Sequence, residues 1–194
     1  MKYEPGQTPL EPEEIDELKI KTISTREELD AFEQANIEEA VMWSLKRKYS
    51  KDKILTVEFV KTLHRKMFGK VWKWAGNFRK TNKNIGVDKF FIEQELRKLL
   101  DDCKYWIDHK TYQEDEIAIR CKHRMVKIHL FPNGNGRHSR LFADILVSHV
   151  FNRQVFTWSG ENLVRKGEAR ERYLIALRQA DMENIEPLLQ FARS

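Results

Sequence analysis

The chain has 194 residues, 41% of them apolar and 34% charged, with a net charge of +5. That length supports one hydrophobic core of its own, and the composition excludes an intrinsically disordered chain. No stretch reaches the ~18 apolar residues of a membrane span, residues 1–9 lack the apolar centre of a secretion signal, and two cysteines are too few for a disulfide framework. The expectation is a cytoplasmic protein in which Cys103 and Cys121 are separate reduced, buried thiols. Lys and Arg are spread along the chain among acids, which disfavours nucleic acid as a partner and suits an anionic nucleotide or an acidic protein.

Pro5, Pro9 and Pro12 make residues 1–13 an extended segment within an N-terminal arm, 1–24, ahead of a single domain, 25–194. Thr25 or Ser24, with Glu28 or Glu27 three residues later, caps a helix reaching about Lys48. Thr56 caps the next helix, which Gly69 ends. Residues 80–92 place turn formers between β-formers and predict a small β-hairpin or extended flap. Helices are then expected over Glu93–His109, from a Thr111/Glu114 capping box to about His129, from about Arg137 through an almost wholly apolar run to Val150, over Gly167–Ala180 and over Asn184–Ala192. The fold class is all-α: seven to eight helices and one flap.

The informative unit is helix, His129, turn, helix. In Asn133-Gly-Asn-Gly136 two glycines let the backbone turn sharply and approach a ligand. The turn opens onto a helix start, where amide N–H groups lack intrahelical partners and the dipole is positive, an anion site by construction. Arg137 and Arg140 stand in the first turns of that helix, where cations oppose the dipole unless an anion lies between them. His129 before the turn supplies an imidazole able to accept a proton near neutral pH. Together these groups suit attack by a hydroxyl on a phosphorus held at the helix start.

His129-Leu-Phe-Pro-Asn-Gly-Asn-Gly-Arg-His-Ser-Arg140 resembles the Fic-family motif, His-Pro-Phe-x-(Asp/Glu)-Gly-Asn-Gly-Arg-x-x-Arg. Trp74-Ala-Gly-Asn-Phe-Arg79 is similar to the element preceding the family's flap, and Arg172-Tyr-Leu-Ile-Ala-Leu-Arg-Gln-Ala-Asp181 to its late helix. The whole chain, with Tyr3-Glu-Pro-Gly-Gln-Thr-Pro-Leu10, resembles the Fic/DOC subgroup called mobile mystery protein B. The resemblance implies a protein adenylyltransferase of the Fic helical fold, moving AMP from ATP onto a Ser, Thr or Tyr of a target protein, with Mg²⁺ or Mn²⁺. His129 would be the general base. Gly134, Asn135 and Gly136 would hold the α- and β-phosphates, Arg137 the β- and γ-phosphates, and Arg140 the γ-phosphate. Phe131, Trp74 and Arg79 would be structural. The flap residues Ile85, Gly86, Val87 and Phe90 would receive an extended target segment by strand addition.

Two departures follow from the same comparison. Leu130 replaces the motif proline, and Asn133 replaces the acidic residue that binds the metal, leaving a neutral oxygen for a hard cation. In the family an inhibitory glutamate can pair with a motif arginine. Thr157-Trp-Ser-Gly-Glu161-Asn162 fits that pattern but sits in a loop. Glu33 fits it more loosely and reads as part of a solvated helix face. The resemblance then implies a separate small inhibitory antitoxin or a helix-turn-helix companion. Two alternatives remain at this level: a Fic variant transferring another phosphate-containing group, and a non-catalytic nucleotide- or partner-binding module of a toxin–antitoxin pair.

Overall fold

A computed structural model describes residues 9–160 and 167–194. Among the described residues it has nine α-helices and no β-strand ladder: α1 (Pro12–Asp16), α2 (Arg26–Leu45), α3 (Lys51–Ile54), α4 (Val57–Phe68), α5 (Ile92–His109), α6 (Glu114–Ile128), α7 (Asn135–His149), α8 (Glu168–Asp181) and α9 (Glu186–Arg193). The expected seven to eight helices are there. The two very short ones, α1 and α3, raise the number. No helix is long and apolar enough to cross a membrane among the described residues.

Local chemistry explains most boundaries. The Thr25 hydroxyl accepts from the Glu28 amide and Glu28 answers to the Thr25 amide, so the capping box starts α2. Thr56 caps α4 in the same way and Gly69 closes it. The Thr111/Glu114 box does not form: α6 starts after Gln113, without a side-chain cap. The chain leaves α5 through Lys110 in the left-handed conformation, and the Thr111 amide donates back to the Trp106 carbonyl instead. Proline also acts differently from expectation at the N-terminus. Pro12 opens α1, where a missing N–H costs nothing. Leu18 then forms an isolated bridge with Trp72 and is buried.

The antiparallel pair α6–α7 is the centre of the molecule. Phe142, Ala143, Leu146 and Val147 of α7 are fully buried, as its near-continuous apolar sequence requires. Helix α4 packs on α7, α5 on α6, and α9, which carries α8, on α6. Cys103 of α5 and Cys121 of α6 are joined as a disulfide, Cα–Cα 6.6 Å, and are not the two separate thiols expected. The short α5–α6 connection brings the two positions face to face across an antiparallel helix pair.

The flap corrects the sequence reading most clearly. Residues 80–91 form no hairpin; they run as a loop closed by one 3₁₀ turn, Lys89–Phe91. The Asn82 carboxamide accepts from the Lys89 amide and donates to Asp88, while Arg79 takes the carbonyls of Thr81 and Val87. Side chains thus take the backbone partners that a strand ladder would have needed.

Candidate active site

α6 ends at His129, whose backbone is left-handed, φ 58° and ψ 67°. A non-glycine residue holds that conformation only when its surroundings enforce it. Here Arg79 does so. Its side chain is almost wholly buried, and Nε donates to the His129 carbonyl at 2.6 Å. The Arg79 amide donates to the Leu130 carbonyl at 3.0 Å, and the Val87 amide to the Ile128 carbonyl at 3.3 Å. Arg79 therefore ties the flap to the end of α6, as a structural residue. Gly86, φ 104°, lies so close that a Cβ there would stand 2.6 Å from the His129 Cβ. A side chain at position 86 and the histidine cannot both keep their places.

His129 is 4% exposed, and neither ring nitrogen has a hydrogen-bond partner. Burial, reinforced by the charges of Arg79 and Lys83, pulls its pKa down to about 4. The ring is neutral at physiological pH, with a lone pair not engaged by the protein. Every other buried histidine near it is engaged. His64 contacts the Asn133 carbonyl at 3.1 Å, accepts from the Gly76 amide at 3.0 Å and stacks on Phe131 at 3.7 Å. His138 meets the Val60 carbonyl at 3.0 Å. His123 meets Asp181 at 2.9 Å.

The turn is built around Phe131, fully buried between His64 and His138. The Asn135 side chain clasps it: Oδ1 accepts from the Phe131 amide at 2.9 Å and Nδ2 donates to the Phe131 carbonyl at 2.8 Å. What Asn135 can offer a ligand is its backbone N–H. Gly134, φ 79°, caps α7, and a Cβ on it would meet the Phe68 ring at 2.6 Å. At Gly136, by contrast, a Cβ would meet nothing within 4 Å. The space beside the unpaired first amides of α7 is open.

The two arginines part ways. Arg137, expected on phosphates, forms a buried ion pair with Glu33 of α2, and its guanidinium lies 4.8 Å over the Phe68 ring. Glu33 is 3% exposed and also accepts from the Trp72 indole at 2.6 Å. It is no part of a solvated helix face. The reason is the turn after α4, which lays Trp72 and the start of α7 against α2. Arg140 makes no ion pair among the described residues; its guanidinium lies 5.5 Å over the ring of Tyr173 of α8. Lys122 of α6 approaches the same ring at 4.5 Å and is fully buried. Burial pushes the Lys122 pKa down. At Tyr173 burial raises the pKa, but the two cations outweigh it and the net shift is downward. Sequence reading passed over Lys122 and Tyr173; a lysine in the middle of an apolar helix face was the available signal.

Trp74 is buried on Trp72 and donates to the Glu14 carbonyl. Of the flap residues, Val87 packs on the core, whereas Ile85 and Phe90 stand out, Phe90 at 81% exposure. Glu161 and Tyr3–Thr8 lie outside the described residues.

Residues 54–147 match the model of the Fic/DOC family, and the match contains Arg79, His129 and the whole turn. Across that stretch the chain is similar to the Fic/DOC family. Solved Fic structures share its fold. The N-terminal Fic domain of a Bartonella quintana Bep effector superposes with a TM-score of 0.71 at 19% identity, covering 90% of this chain and 84% of that one. BepC of Bartonella tribocorum, solved with bound AMPPNP, superposes with a TM-score of 0.68 at 18% identity over 90% and 89%. Among curated proteins, the protein adenylyltransferase Fic of Nematostella vectensis is 24% identical over 167 residues, 84% of this chain. The chain spans only 37% of that relative's length.

The donor set at the turn does not fit a protein-bound Mg²⁺. The motif position is Asn133, whose Oδ1 already accepts from the Gly134 amide at 2.6 Å and faces Arg137 at 3.4 Å. No cluster of three His, Cys, Asp or Glu residues occurs among the described residues. A hard cation prefers carboxylate oxygens, and this turn has none to give.

Proposed function

We propose that this chain is a nucleotidyltransferase that moves AMP from ATP onto a hydroxyl of another protein. The observation that carries the reading is the His129 ring: neutral, without a partner on either nitrogen, and fixed by backbone bonds beside an open helix start. A ring nitrogen takes the proton of the incoming hydroxyl. The hydroxyl oxygen bonds to the α-phosphorus, the bond from that phosphorus to the bridging oxygen breaks, and pyrophosphate leaves with the electron pair. The amides of Asn135 and Gly136 face the negative charge that builds on the phosphoryl oxygens. Arg140, without an ion pair among the described residues, is the guanidinium ready for the terminal phosphate. Arg137 reaches a phosphate only on leaving Glu33. The flap's exposed Ile85 and Phe90 offer an apolar seat for an extended target segment. The adenylyltransferase name of the curated relative and the ATP analogue bound to BepC support ATP as donor.

Asn133 and the Arg137–Glu33 pair favour a second reading, a weakened enzyme or nucleotide-binding module held in check by Glu33 or by a companion antitoxin. Intact-mass measurement separates the two. The protein is incubated with ATP and Mg²⁺ or Mn²⁺, as wild type, Asn133→Asp and His129→Ala. A gain of one AMP on wild type, lost in His129→Ala, is the expected result. Modification by Asn133→Asp alone identifies a weakened enzyme. No AMP on either, or AMP retained by His129→Ala, overturns the proposed chemistry.

A further inference from the structure

The basic residues that look dispersed in the sequence are gathered by the fold. Between α2, the end of α4 and the following turn lies an open groove of ≈ 970 Å³. Its walls carry Lys19, Lys46, Arg65, Lys66, Lys70 and Lys73, with Glu38 and Glu39 on one rim. Six cations against two carboxylates leave four net positive charges, in a chain whose whole net charge is +5. The remaining charges of the chain nearly cancel in sum, so the groove holds most of the excess positive charge.

Few of these charges are matched. Lys70 pairs with Glu39 at 2.6 Å, and the Lys19 ammonium donates to the Gly69 carbonyl. Lys46, Arg65 and Lys73 form no ion pair among the described residues; Lys66 lies 5.7 Å over the Trp43 ring. The lining is not polar throughout. Ala40 and Trp72 are buried beneath it, and Met42 stands 61% exposed at its edge. An apolar floor under a ring of unmatched cations fits a chain that presents both carboxylates and apolar side chains. It fits a phosphate backbone poorly, because Glu38 and Glu39 would face the phosphates and no flat exposed aromatic platform is present for stacking.

We propose that this groove is the docking site for an acidic, amphipathic segment of a partner protein. Carboxylates of the segment meet Lys46, Lys66 and Lys73, and its apolar residues cover Met42 and the Trp43 edge. The proposal does not depend on nucleotide transfer.

The test uses the whole chain and a fluorescent, helix-forming synthetic peptide with glutamates along one face and leucines along the other. Three proteins are titrated by polarisation: wild type, K46E/K66E/K73E in the groove, and K53E/K98E/R178E, which makes the same change of net charge elsewhere. All six positions are exposed, so folding is preserved. The expected result is binding that weakens at least about tenfold in the groove variant, is little changed in the control variant, and declines with salt. Met42→Asp should weaken it as well. Equal loss in both triple variants, or no binding by wild type, overturns the groove as a docking site. Tighter binding of a single-stranded DNA oligomer or of phosphatidylserine vesicles, lost in the groove variant, overturns the assigned partner class.

Discussion

Arg137 and Arg140 stand one turn apart on the same helix, yet they live in opposite electrostatic worlds. Toward α2, Arg137 meets a buried carboxylate, and that carboxylate's other oxygen is satisfied by the Trp72 indole. Toward α8, Arg140 shares the Tyr173 ring with a second cation, the fully buried Lys122, and no carboxylate forms an ion pair with either among the described residues. A closed arrangement stabilises one conformation, and taking away either partner strands a buried charge. An open arrangement is tolerable in a fold when an anion completes it. The first side of α7 is therefore read as scaffold or brake, the second as the side that answers to a ligand.

The sharpest way to break this contrast is at Glu33. Glu33→Ala leaves the Arg137 guanidinium buried and unpaired and should cost about 3–5 kcal/mol in denaturant unfolding. Replacing both members with Met should restore most of that loss. Glu33→Gln keeps an acceptor for Trp72 and releases Arg137. It should bind a fluorescent ATP analogue more tightly than wild type, and unchanged affinity would remove Glu33 as a brake. Next in size is the pair of turn glycines. Gly134→Ala drives a Cβ into Phe68 at a positive φ and should lower stability by about 1–3 kcal/mol. Gly136→Ala has open space on every side; thermal unfolding should barely move while nucleotide affinity falls, because the new methyl stands where the ligand would. Loss of stability at 136 would show that the space is not a ligand's. Lys122→Met, on the open side, should leave stability unchanged or raise it by about 1–4 kcal/mol, the reverse of Glu33→Ala.

This contrast also marks how far the sequence could be read. The helices were legible wherever a cap or an apolar period was local: Thr25 with Glu28, Thr56 with Gly69, the run from Leu141 to Val147. The turn was legible because its chemistry is contiguous, from His129 to Arg140. What failed depends on distant partners. Glu33 looked solvated because nothing near it in the chain announces Trp72 or Arg137. The flap looked like a hairpin because β-formers flank its turn, and only the fold reveals that Arg79 and Asn82 take the backbone groups a ladder would use. The basic groove is assembled from positions 19 to 73, and no window along the chain holds it.

The last expected effect concerns protons. His129 and His138 titrate near 4 in the folded protein, against 6.5 for a free histidine, because both are buried. The unfolded chain therefore binds more protons between those values. The stability these two groups contribute is full above pH 6.5 and is lost as pH falls toward 4. Asp144 works in the opposite direction. Burial raises its pKa to about 6 despite hydrogen bonds from the Trp158 indole and the Phe156 amide, so acidification from 6 toward 3.8 favours the fold at that site. His64 and His123, also lowered by burial, act in the same direction as His129 and His138. Melting temperature should then fall from pH 6.5 to 4, less steeply than the buried histidines alone would produce, and Asp144→Asn should steepen the fall. The same His129 shift has a separate consequence for rate. A base already neutral at pH 5 gives a transfer rate, as kcat/KM, that holds level from pH 7 to 5 and drops only near 4. A drop centred on 6.5 would mean that the ring titrates as if in water, exposed and not under the flap.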